Sequence, residues 1–229
     1  MLNLLSETEY ATRITIRIVV YLGITMAVSC HSSELELRSN AQVAKTPIVQ
    51  VSNTAEIKDS SEQTAIRLTE LYDNKNCKEF FNAFPNTFQD FNQLFGYDDK
   101  TGERRLYSKY EEHLAYFFNC SEVSDREKLN KAIRIGIDGK WEADASSMLQ
   151  DETFKLIKDQ PNEAKEILDS LPDKKAASFW YFLCDGPHPN DKEIVKKVDS
   201  LSSLLGKNSK QSKLLSEQYK KLVVDWSEH

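Results

Sequence analysis

Asp185 and His188 stand three residues apart in Cys184-Asp185-Gly186-Pro187-His188-Pro189, a turn stiffened by two prolines. A carboxylate and an imidazole at that spacing could share a metal ion, or the carboxylate could orient the ring as a general base. Catalysis needs more than a pair: a nucleophile, an oxyanion site or further ligands. The plainer expectation is a helix stop. Gly186 closes one helix, the prolines stiffen the turn and Asn190 starts the next, capped together with Glu193. A rigid exposed turn also suits a binding surface. Asp185 and His188 are therefore candidate partner-binding residues rather than catalytic ones.

A second such stretch is Asp138-Gly139-Lys140-Trp141-Glu142-Ala143-Asp144. An exposed tryptophan at an acidic turn suits a protein interface, where aromatic anchors dominate the energy. A tryptophan tucked between helices is the competing expectation. Trp141 and Asp144 join the candidate partner-binding residues. The acids here and at Asp98-Asp99 do not fit the spacing of a calcium-binding loop. The sequence has no G-x-S-x-G, no H-E-x-x-H and no phosphate-cradling glycine loop. His113, between Glu112 and an apolar face, reads as an ordinary helix residue. No catalytic residue, metal site or cofactor is expected, and the chain is not read as an enzyme.

Arg13 and Arg17 precede an apolar run from Ile18 to Val28, interrupted by Gly23 and Thr25. That run is too short to span a bilayer, which takes about 20 residues, and has the length of a signal-peptide core. It ends in Ala27-Val28-Ser29-Cys30, which resembles the lipobox of bacterial lipoproteins, with Ala27 where leucine is usual. The resemblance implies that residues 1–29 are removed and that Cys30 is acylated and becomes the new N-terminus. Two or three acyl chains hold a protein durably on a bilayer, where one does not. His31 occupies the position where aspartate would resemble an inner-membrane retention signal, so the outer membrane is the expected address.

Three further cysteines are Cys77, Cys120 and Cys184. In an oxidising compartment two can pair. Cys77 with Cys120 is the favoured pair, because each lies beside a phenylalanine-rich helix. Three buried, reduced thiols are the alternative. None has the C-x-x-C spacing of a redox motif or a structural zinc site.

The elements that must position these residues are helices. Residues 30–60 are rich in Ser, Asn, Glu and Lys without a sustained period, and read as a flexible tether. After Ser61 the apolar spacing turns helical. A helix is expected over Glu62–Asp73, an aromatic one over Cys77–Phe84, and a third capped by Asn86 and Gln89. A polar loop spans Tyr97–Arg105, and another helix Ser108–Asn119. Ser124 and Glu127 form a capping box, and Pro161 opens a first turn. Residues 61–229 are thus read as one all-α domain, an irregular multi-helix bundle of helical hairpins. A short α-solenoid of the HEAT or TPR kind is the alternative.

The net charge is −6. That balance disfavours nucleic acid as a partner, because phosphate binding requires clustered Lys and Arg. It favours a neutral or basic partner. The expected function is that of a membrane-tethered periplasmic binding protein with two partners: the bilayer, through acylated Cys30, and another protein. In general layout the chain resembles small helical immunity lipoproteins, which neutralise a toxin by protein–protein contact, although no motif is matched residue by residue. A structural or assembly lipoprotein of an envelope complex is the alternative. A hydrolase or metal-dependent enzyme centred on Asp185 and His188 ranks third.

Overall fold

Phenylalanines at helical spacing build the first half of the domain, and Leu, Ile and Trp build the second. The structure, a computed structural model, describes residues 54–227 other than 187 and 190, with the side chains of 54–59 set aside. The expected leader (1–29), Cys30 and residues 31–53 of the expected tether lie outside the described residues. Ten α-helices and one short hairpin are found among the described residues, so the fold is all-α.

α1 spans Thr54–Asp73, α2 Cys77–Ala83 and α3 Phe88–Phe95. The hairpin strands β1 (Tyr97–Asp98) and β2 (Gly102–Glu103) pair antiparallel within what the sequence reads as a polar loop. The Asp98 carboxylate accepts the Lys100 and Thr101 amides, which tightens the turn enough for pairing. After a 3₁₀ turn at Tyr107–Lys109, α4 covers Tyr110–Phe118. α5 is Asp125–Gly136, α6 Asp144–Asp159, α7 Pro161–Asp169, α8 Asp173–Cys184, α9 Lys192–Leu204 and α10 Lys210–Ser227.

Several ends differ from the sequence reading. α1 begins inside the expected tether, at Thr54. No glycine or proline interrupts residues 54–73, so helical propensity carries the helix beyond its apolar stripe. α3 is capped by Thr87, which accepts the Asp90 amide at 3.2 Å, in place of Asn86 and Gln89. Asp191 caps α9, its carboxylate accepting the Glu193 amide at 2.7 Å. The expected cap Asn190 lies outside the described residues. α8 is not closed by a left-handed Gly186 either: Asp185 turns to an extended conformation and ends it. The Ser124–Glu127 capping box is present on α5.

Two buried clusters form the interior. The first is mostly aromatic, with Phe80, Phe84, Phe91, Phe95 and Phe117 fully enclosed. Phe84 and Phe117 stack at 4.6 Å between centroids. The second holds Leu129, Ile133, Ile157, Phe179, Trp180, Leu215 and Leu222. α5 serves both, sending Ala132 and Ile135 to the first and Leu129 and Ile133 to the second. It packs on α3, α6, α7 and α8, and α10 packs on α7, α8 and α9. Stacked repeats touch their neighbours alone, so this is the packing of an irregular bundle.

Two polar devices fix the aromatic half. Cys77, the first residue of α2, is disulfide-bonded to Cys120 just beyond α4, with Cα atoms 5.5 Å apart. Buried Lys131 of α5 donates to the main-chain carbonyls of Phe81 and Asn82, capping the end of α2. Burial pushes its ammonium down to about 8.

Where α5 crosses α8, a Cβ on Gly136 would lie 2.7 Å from the Phe182 ring and 3.0 Å from Phe179. Gly136→Ala should therefore destabilise the domain by about 1–3 kcal/mol through overpacking, read from its denaturant midpoint. The disulfide closes a loop with a sequence separation of 43. Chain entropy alone gives such a loop about 4 kcal/mol, so reduction should lower the guanidinium midpoint markedly. Equal midpoints with and without reductant would contradict the pairing.

Candidate functional site

The loop between α5 and α6 is held in a conformation that side chains disfavour. Asp138, Ala143 and Asp144 have φ of 58°, 57° and 36°, each a strain of about 1–3 kcal/mol. Specific contacts hold them there. The Asp138 carboxylate pairs with Lys175 of α8 at 2.7 Å, and its amide donates to Ser178. The Glu142 amide donates to Ser146 Oγ at 2.8 Å, and Ser146 Oγ donates to the Ala143 carbonyl. The Trp141 indole donates to Ser147 Oγ at 2.8 Å, so the ring lies along the start of α6.

This loop reaches the end of α8 through Asp185. The Trp141 amide donates to Asp185 Oδ2 at 2.8 Å. The Gly186 amide and the Trp226 side chain lie beside the same carboxylate and favour its charged form. Gln150 of α6, which is buried, donates its side-chain amide to the carbonyls of Phe182 and Asp185. Four segments meet at one residue: the α5–α6 loop, α6, the end of α8 and α10. Burial raises the Asp185 pKa despite these groups and despite nearby Lys140.

Beside this junction lies a cleft of about 300 Å³. Phe154 of α6, Leu183 and Cys184 of α8, and Ile194, Val198 and Leu201 of α9 supply its apolar surface. Asp151, Asp185, Asp191 and Glu193 supply carboxylates, with His188 and Lys197 also lining it. Lys197 donates to Asp151 at 2.6 Å and lies 5.5 Å above the Phe154 ring.

Three of the four candidate partner-binding residues thus line one cleft: Trp141, Asp185 and His188. Trp141 and Asp185 are half-buried and His188 is exposed. Asp144 is placed elsewhere. It is exposed at the start of α6, accepts a hydrogen bond from the Tyr107 hydroxyl and borders a separate depression with Tyr110 and Met148. That bond and burial push the Tyr107 phenol up to about 12.

The His188 ring is not among the donors to Asp185, and its aromatic neighbour is Trp226 at 6.3 Å. Cys184 is wholly buried, which pushes its thiol up to about 12 and keeps it protonated. Among the described residues, no group of three His, Cys, Asp or Glu is placed to hold a metal ion.

Sequence reasoning missed Gln150, Asp151, Phe154 and Lys197. They join the site because α9 lies across α6, a tertiary contact with no local signature. His113 is also more than an ordinary helix residue. It is 2 % exposed, with Tyr72, Phe80 and Phe95 rings at 5.1, 5.4 and 5.9 Å, and its Nδ1 has no partner. No protein-family model, curated protein or solved structure matches the chain.

Two expectations follow. Gln150→Leu leaves the Phe182 and Asp185 carbonyls without their amide donor and should lower stability by about 1–3 kcal/mol in thermal unfolding. An unshifted midpoint would mean that Gln150 does not hold the turn. Burial lowers the His113 pKa below its ordinary 6.5, with Glu112 and Asp73 opposing and Lys109 assisting. The unfolded chain then binds this proton more tightly than the fold does, so stability is full above that value and is lost as pH falls below it. Subtracting the stability–pH curve of His113→Phe from that of the wild type should isolate this loss.

Proposed function

We propose that the protein is a lipid-anchored binding protein of the bacterial cell envelope. Its helical domain faces the periplasm and captures a protein partner at the cleft beside Asp185. The observation that carries this reading is the cleft itself, where a half-buried tryptophan and a hydrogen-bonded turn flank an apolar floor. Sites that bind ligands are typically concave, largely apolar and provided with a few fixed polar groups. The strained loop supports the reading, because backbone strain gathers at functional sites. The exposed Trp226 and Val195 add apolar surface on α10 and α9.

The anchor rests on Ala27-Val28-Ser29-Cys30 and its resemblance to a lipobox. The concrete form of the proposal is an immunity-type inhibitor that covers a basic surface of a toxin reaching the periplasm. The net charge of −6 suits such a partner.

Two measurements test this. Cells fed labelled palmitate should label the full chain, and Cys30→Ser should lose both the label and membrane association. Label that persists in Cys30→Ser would remove the anchor from the proposal. The full chain, purified from membranes in mild detergent, should recover one stoichiometric partner, identified by mass spectrometry. Ile194→Arg, in the cleft wall, should lose that partner, while Ile66→Arg, exposed on α1, should keep it. Several envelope proteins recovered weakly would point instead to an assembly role.

A further inference from the structure

Resting on the reading of the cleft as the partner site, we propose that it receives a cation carried on an apolar stem: an arginine or lysine side chain of the partner protein. Shape and charge agree on this. The space of about 300 Å³ has a floor built by Phe154, Leu183, Ile194 and Val198, which suits the methylene stem of such a side chain. Four carboxylates line it; Asp151 is tied to Lys197 at 2.6 Å and Glu193 to Lys196 at 2.7 Å, which leaves Asp185 and Asp191 without an ion-pair partner among the described residues.

Asp185 gives the sharper argument. Its carboxylate is half-buried and accepts a hydrogen bond from the Trp141 amide at 2.8 Å. No ion pair to it is found among the described residues. A half-buried carboxylate with no direct ion-pair partner, Lys140 acting on it only from outside salt-bridge distance, favours a cation arriving in its neighbourhood. Asp191 adds a second carboxylate at the start of α9, and its one assigned hydrogen bond is the Glu193 amide, at 2.7 Å. Low-dielectric walls focus the potential of Asp185 and Asp191, and the same two carboxylates repel an anion.

The test uses the full chain in detergent, with the Trp141 main-chain amide as the NMR reporter. The probes are agmatine (a butyl stem with a guanidinium at one end and an ammonium at the other), neutral n-butylurea and anionic valerate. Agmatine should shift the reporter and bind at least about tenfold more tightly than n-butylurea, with valerate silent. Asp191→Asn combined with Glu193→Gln should weaken agmatine by about tenfold at an unchanged unfolding midpoint, because asparagine caps a helix as well as aspartate does. Added salt should weaken it further.

Equal binding of agmatine and n-butylurea, or undiminished agmatine binding by the double variant, would overturn the assignment of a cation. Agmatine binding tighter than about 10 µM would mark the cleft as built for a free small cation and overturn the side-chain assignment. The two levels separate cleanly. If agmatine fails while Ile194→Arg still abolishes partner capture, the cation is wrong and the cleft reading stands. If Ile194→Arg leaves partner capture intact, the cleft reading is wrong.

Discussion

The close approach of α5 to α8 at Gly136 is the constraint on which the rest of the domain depends. With no Cβ at that position, the rings of Phe179 and Phe182 lie directly against the α5 backbone. Gly139, just beyond the helix, repeats the arrangement: a Cβ there would meet Phe182 at 2.8 Å and Phe88 at 2.9 Å. Phe182 therefore sits where both glycines face it and joins the aromatic cluster, while its neighbours Phe179 and Trp180 belong to the other. One crossing couples the two interiors. It also brings the end of α8 to the loop that follows α5, so that Asp185 meets the Trp141 amide.

Polar groups complete what packing begins. Lys131 and Gln150 are buried, and each spends its donors on main-chain carbonyls at a helix end. Such carbonyls lie at helix ends, where main-chain partners run out, although Phe182 keeps the Asp185 amide at 3.1 Å. In the second cluster the bonds run between side chains: Trp180 donates its indole N–H to Gln211 Oε1 at 2.9 Å, and Gln211 donates on to Asp169 at 2.8 Å. These bonds specify helix ends more than they add net stability, because each replaces a bond to water. Their contribution is geometric: they decide where α2 and α8 stop and where the next segment departs.

The sequence carried the helices well and their junctions poorly. Ser124 with Glu127 gave both partners of a capping box three residues apart, so the start of α5 was legible. Thr87 was not, because Asn86 and Gln89 presented an equally good pair one residue earlier. The start of α1 was hidden because residues 54–60 favour helix without adding to the apolar stripe. The hairpin at Tyr97–Glu103 was hidden for the opposite reason, having no alternating apolar pattern and depending on one Asp98 turn. Within the site, Trp141, Asp185 and His188 stood out by residue type beside glycine and proline. Asp151, Phe154 and Lys197 did not, since their role appears only once α9 crosses α6. Asp144 stood out for the same reason as Trp141, yet three residues further on the chain faces Tyr107 instead.

Three non-glycine residues with positive φ fall within seven positions. α5 has ended at Gly136 and α6 begins at Asp144, so an unstrained loop could join them. What the strained path achieves is to turn the Trp141 amide toward Asp185 and its ring toward Ser147, which builds one wall of the cleft. Opposing stability comes from the stacked phenylalanines of the first cluster and from the Cys77–Cys120 bond. Strain kept at a cleft and offset by the core is the division expected where a surface is shaped for a ligand rather than for the fold alone. On the proposed reading, that loop shapes this face of the domain for its partner more than any single side chain does.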